Sequence, residues 1–162
     1  MSESARIADQ LRRAFCGSAW HGDSLLEILE GVTAARAVAH PIPHAHSIWE
    51  LVLHIAAWDG VVRRRLAGEA VSLSDEQNFP PVKDTSEGAW RRALEQVRKV
   101  HDALIEAVAA LPESRLGERV PGQDYDLYHM LHGAVRHELY HAGQIASLKS
   151  PARDLAVRVG SR

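Results

Sequence analysis

Apolar residues recur along most of this chain at intervals of three and four, the period of an α-helix, and no stretch alternates apolar and polar residues as a half-buried strand would. The pattern predicts an all-α fold. A first helix, Ser4 to Cys16, places Ile7, Leu11, Ala14 and Phe15 on one face. A shorter one from Asp23 to Glu30 carries Leu25, Leu26, Ile28 and Leu29 before Gly31 stops it. Thr33 to Ala39 has room for one further turn. His40-Pro41-Ile42-Pro43-His44 must then be extended, because each proline disfavours helix for the residue before it.

Ser47-Ile48-Trp49-Glu50 fits a capping box, in which serine and glutamate take up each other's free backbone N–H groups. The helix it opens runs to about Leu66 and ends near Gly68. Residues 69–84 hold adjacent prolines at 80 and 81 and no sustained period, so they form a connection. Links between packed helices usually span about two to eight residues, and a longer one suits a crossover between parallel helices. Another helix opens near Asp84 or Thr85, with Trp90, Leu94, Val97, His101, Leu104, Ile105 and Val108 as its apolar stripe, and Leu111-Pro112 ends it. Gly117 to Tyr125, with its Pro121-Gly122 turn, is a second connection. Asp126 caps a last helix that runs to about Leu148, ahead of Pro151. The expected architecture is one domain over residues 1–162: a four-helix bundle with a long crossover between the second and third main helices, and 152–162 as a loosely docked tail.

Composition narrows the function classes. At 162 residues, 46% apolar and 25% charged, the chain is ordinary globular protein that can bury roughly two thirds of its unfolded surface. Lys+Arg number 19 against 21 Asp+Glu, a formal charge of −2, so no basic stripe offers itself to a phosphate backbone. No stretch approaches the roughly 20 apolar residues that span a bilayer. The expected partner is a small molecule, with neither nucleic acid nor membrane. A lone cysteine, Cys16, cannot form an internal disulfide, and Met1 to Gln10 lack the apolar core of a signal peptide, so the cytoplasm is the expected compartment. Cys16 itself is expected in the core, as free cysteines usually are. One count stands out: ten histidines, twice the combined total of Tyr and Phe.

On the last helix stands His137-Glu138-Leu139-Tyr140-His141. Positions four apart on a helix lie about 40° and 6 Å from each other, so both imidazoles project from one face and can converge on one ion. The string is H-E-x-x-H, which alone would predict a zinc protease with Glu138 as its base. Two features oppose that reading: no strand pattern accompanies the helix, and no histidine follows His141. A third ligand must come from upstream. His54, amid Leu51, Val52, Leu53 and Ile55 on an inward face, is placed to meet the pair. Three neutral imidazoles with an open fourth position describe a catalytic type of zinc site, and the same set accepts nickel, iron or cobalt.

The segment from Ser47 to Trp58, with Leu131-His132-Gly133 and His137-Glu138-Leu139-Tyr140-His141-Ala142-Gly143-Gln144-Ile145, resembles the DinB/YfiT-like group of metal-dependent enzymes over roughly Trp20 to Leu148. The resemblance implies a four-helix bundle with a long crossover, a homodimer, and a divalent metal, zinc or nickel foremost, on His54, His137 and His141. It also implies a reaction class: relatives include transferases and an isomerase that use a low-molecular-weight thiol such as bacillithiol or mycothiol. The reading is thus a metal-dependent thiol S-transferase, or a hydrolase, acting on a small electrophile. The alternative is a non-catalytic metal-stabilised helical dimer or interaction module.

Several neighbours keep two readings. Glu50, one turn before His54, either closes the capping box or accepts the free ring N–H of His54. Glu138 is a candidate base, although it lies 100° around the helix from His137. Gln144, three residues after His141, either lines the site or pairs with a neighbouring helix. Trp49 and Trp58 suit core packing first and a pocket wall second. His101 is expected as a satisfied core histidine. His40, His44 and His46 sit on a proline-broken loop that orients imidazoles poorly for a second ion.

Overall fold

Each long helix begins where a side chain takes up the backbone N–H groups that its first turn leaves unpaired. The computed structural model describes residues 1–150, so the tail expected at 152–162 lies outside the described residues. Among the described residues seven α-helices follow in order: α1 (Glu3–Cys16), α2 (Leu25–Leu29), α3 (Ala34–Val38), α4 (Ile48–Leu66), α5 (Asp75–Asn78), α6 (Glu87–Ala109) and α7 (Leu127–Lys149). A 3-10 turn lies at Glu113–Arg115. Only two isolated β-bridges, and no strand, occur among the described residues, so the fold is all-α. No helix among them is long and apolar enough to cross a membrane.

Ser47 and Glu50 form the expected capping box at α4, and Asp126 accepts the His129 N–H at the start of α7. α6 begins two or three residues later than its periodicity suggests. Asp84 spends its carboxylate on the Ser86 N–H, a local turn that competes with helix, and Ser86 then caps α6 by accepting from Ala89 N. The connection after α4 is not irregular throughout: Ser74 and Gln77 form a capping box of their own around the single turn α5. Cys16 is exposed rather than in the core. It follows Phe15, which is buried, by one residue, and a step of 100° carries it off the apolar face of α1.

α4 packs against α6 and α7, and α1 packs against the same two helices. Their apolar residues fall into two clusters. One gathers Phe15, Trp49, Val52, Ile55, Trp90, Val97, Ala142 and Ile145; the other gathers Leu11, Val62, Leu66, Leu104, Leu127 and Leu131. Among these apolar residues a layer of buried or half-buried polar side chains is inserted: His54 and Asp59 on α4, His101 on α6, and His137, Glu138 and His141 on α7. The two apolar masses hold the helices together around these polar groups.

Candidate metal centre

Three imidazoles from two helices meet in this polar layer. His137 Nε2 lies 3.0 Å from His54 Nε2 and 3.1 Å from His141 Nε2. The remaining ring nitrogens of the outer two are already committed: His54 Nδ1 donates to the Asn78 carbonyl at 2.8 Å, and His141 Nδ1 donates to Gln144 Oε1 at 2.7 Å. An oxygen acceptor at Nδ1 fixes that proton there, so Nε2 of both rings presents a lone pair. Two lone pairs thus face one shared point, and a single N–H of His137 can satisfy only one of them. A cation satisfies all three. A tetrahedral ion with 2.0–2.1 Å bonds sets its nitrogens about 3.4 Å apart, close to the spacing found.

The electrostatics agree with ligation by neutral rings. Burial, reinforced by the neighbouring imidazoles of His141 and His54, pushes His137 down to about 3 from 6.5. Burial also lowers His54 and His141, against the hydrogen bonds they donate to Asn78 and Gln144 respectively, which oppose the shift. The cluster opens onto a cavity of about 460 Å³, walled by Trp58, Val62, Met130 and Ala134 and reaching Arg65 and Tyr125. That volume is in the range that takes a small molecule.

A profile of the DinB superfamily matches residues 19–145. The chain belongs to the DinB superfamily. No curated protein and no solved structure matches it. The segment shared with the DinB superfamily contains all three imidazoles and both residues that fix their tautomers.

The other sequence candidates divide. Gln144 lines up with His141 as its hydrogen-bond acceptor. Glu50 does not touch His54: its carboxylate folds back onto the Ser47 N–H at 2.8 Å, with His46 and His40 beside it at 3.5 and 3.9 Å. The capping geometry pulls Glu50 toward the start of α4, and the Asn78 carbonyl holds the place beside His54 Nδ1 instead. Glu138 does not face the cavity either. It is 2% exposed, and its carboxyl approaches His101 Nδ1 at 3.9 Å, so the protease-like assignment of a base at this position has no geometric support.

His101 is a satisfied core histidine. Its Nε2 donates to the Leu11 carbonyl at 3.3 Å, its Nδ1 shares a proton with Asp59 Oδ2 at 2.8 Å, and Phe15 stacks on the ring at 4.0 Å. Burial pushes Asp59 up against the pull of His101, and pushes Glu138 well up, with the Asp59 charge adding to it. Trp49 is core, tilted against Trp90, whereas Trp58 is half-buried and lines the cavity.

Four contributors escaped the sequence: Asn78, Phe79, Arg65 and Tyr125. Asn78 holds His54 by its carbonyl and Trp58 Nε1 by its side chain at 2.8 Å. Phe79 stacks between His54 and His46, at 4.2 and 3.7 Å. A Ser-x-x-Gln capping box just before an Asn-Phe pair was the available signal that this connection docks rather than drifts.

Proposed function

We propose that this protein is a metal-dependent enzyme in which His54, His137 and His141 hold one divalent ion, zinc or nickel foremost, at the floor of the cavity. The observation that carries it is the convergence of three Nε2 atoms whose outer two rings are already fixed as lone-pair donors. When bound there, such an ion supplies a Lewis acid that lowers the pKa of a water or thiol. The chain's own residues do the rest. Asn78 and Gln144 orient the rings, Phe79 shields one face of His54, and Trp58 excludes water from the cavity wall.

An ion on these three imidazoles would keep a coordination position free beside the cavity they line, which favours reaction over a purely structural ion. The reaction we assign is transfer of a low-molecular-weight thiol to a small electrophile, or its hydrolysis. The four long helices α1, α4, α6 and α7 form a four-helix bundle in this reading, with residues 67–86 as its crossover and a homodimer as the assembly, in keeping with the superfamily.

Protein purified without an affinity tag should bind one zinc or nickel per chain. Metal-loaded protein is then offered thiols and electrophiles. Turnover that requires both metal and thiol identifies the transferase, and turnover with metal alone identifies the hydrolase. A chain that binds neither ion in titration overturns the assignment; a chain that binds metal but turns over nothing in the screen is the non-catalytic module.

A further inference from the structure

Arg65 sits in the last turn of α4 beside two other arginines, but only Arg65 turns inward, with 6% of its surface exposed. Arg64 pairs with Glu69 at the surface, and Arg63 is exposed. The Arg65 guanidinium lines the same cavity as the three imidazoles. Its Nε and Nη2 both donate to the Val71 carbonyl, at 3.2 and 2.6 Å, and its Nη1 donates to the Tyr125 hydroxyl at 2.9 Å. All of these acceptors are neutral. No carboxylate pairs with Arg65 among the described residues, and Asp59, the acid that shares the cavity, is engaged by His101.

A guanidinium cannot shed its proton, so burying it without a counter-charge is costly. The carbonyl end of α4 offsets at most about half a charge. Three of the five N–H groups are used, which leaves one on each terminal nitrogen, the pair that a planar carboxylate accepts bidentately. Tyr125, which accepts from Arg65, keeps its own O–H to donate to the same anion. Trp58 bridges the two poles of the cavity: its ring centre lies 5.9 Å from Arg65 Cζ and 5.9 Å from the His137 ring.

We infer that the cavity takes a small organic carboxylate, whose anionic group docks on Arg65 and Tyr125 while the rest of the molecule lies along Trp58 toward the three imidazoles. The reactive end rests on the metal reading above. The anion subsite rests on Arg65 and Tyr125 and not on the metal.

The test is calorimetric titration of zinc-loaded protein with benzoate and succinate, against the neutral benzamide and succinamide, with zinc content measured for every variant. Wild type should bind the acids at least about tenfold more tightly than the amides, and Arg65→Gln should lose at least about tenfold for the acids at unchanged zinc content. Tyr125→Phe should weaken the acids about threefold, and it decides the matter if Arg65→Gln does not fold. Equal binding of acid and amide, equal binding of acid by wild type and Arg65→Gln, or no saturable binding of either acid overturns the subsite. Protein that holds no zinc yet binds the acids through Arg65 overturns the metal reading and leaves the subsite standing.

Discussion

Two imidazole-containing clusters lie side by side in the polar layer, and they use the same helices to opposite ends. His54 and Asp59 stand five residues apart on α4, and His137 and Glu138 are adjacent on α7. Yet His54 and His137 join His141 at the cavity, while Asp59 and Glu138 turn to His101. In the first cluster the outer two rings, His54 and His141, offer lone pairs inward and point their proton donors outward. In the second, His101 and Asp59 satisfy each other, with the Leu11 carbonyl on the far ring nitrogen and Phe15 over the ring, while the Glu138 carboxyl, with no hydrogen-bond partner among the described residues, is pushed toward its neutral form by burial. Residue type does not separate a ligand set from a structural network. Which atoms are left unpaired, and whether a cavity reaches them, does.

Truncating one imidazole from each cluster should separate their two roles most clearly. His137→Ala should weaken zinc binding by more than about a hundredfold, beyond what an orienting partner alone is worth, while leaving the metal-free protein as stable as wild type. His101→Ala should do the reverse. It leaves Asp59 buried without its partner and opens a cavity beneath Phe15, so unfolding free energy should fall by about 3–5 kcal/mol while each folded chain still binds zinc. Chelator competition and urea unfolding of the metal-free protein measure the two effects. If His101→Ala abolished zinc binding without loss of stability, the division between the clusters would be mistaken.

Acid and alkali should sharpen the same division, because the two clusters titrate with opposite sign. His137 is depressed to about 3 from 6.5, so the unfolded chain takes up its proton first: the stability of the metal-free protein is complete above 6.5 and declines as pH falls toward about 3. His54 and His141, also lowered, add to that acid limb. Glu138 is raised well above 4.5, so its contribution is present below 4.5 and is lost as pH rises through the raised folded value. Urea midpoints across pH should therefore show a shallower acid limb in His137→Ala and a flatter alkaline limb in Glu138→Gln. The amide is a fair mimic of the neutral acid, so Glu138→Gln should cost little near neutral pH. Identical profiles for wild type and both variants would refute the assignment of the limbs.

What the sequence made legible follows from how local each signal is. The Ser47–Glu50 capping box, the Asp126 cap and the i, i+4 spacing of His137 and His141 lie within one turn of helix, and the structure keeps all of them. His54 was legible because a histidine inside an apolar run has to meet something. Glu50 had two partners within reach, and the nearer one, its own helix N-terminus, prevailed. Asn78, Arg65 and Tyr125 act across 24 and 60 residues of chain, through contacts that the docking of α5 and the 110–126 connection creates, and nothing in their immediate neighbours announces that. The pairing of Asp59 with His101 was hidden for the same reason: 42 residues separate them, and each alone looks like an ordinary residue on its helix.

The outward-pointing proton donors of His54 and His141 should contribute a smaller share of the metal affinity. The acceptor for His54 is the main-chain carbonyl of Asn78, which no side-chain substitution removes, whereas the acceptor for His141 is the Gln144 side chain. Gln144→Ala should therefore free the His141 ring to turn and to exchange its tautomer, and zinc affinity should drop about tenfold with the fold intact. Gln144→Glu, which puts a full charge at the same acceptor, should hold affinity at or above wild type, because a carboxylate makes the imidazole a stronger donor to the ion. Competition against a chromophoric chelator resolves both changes. Affinity unchanged in Gln144→Ala would mean that packing alone aims His141, and that the hydrogen bond merely accompanies it.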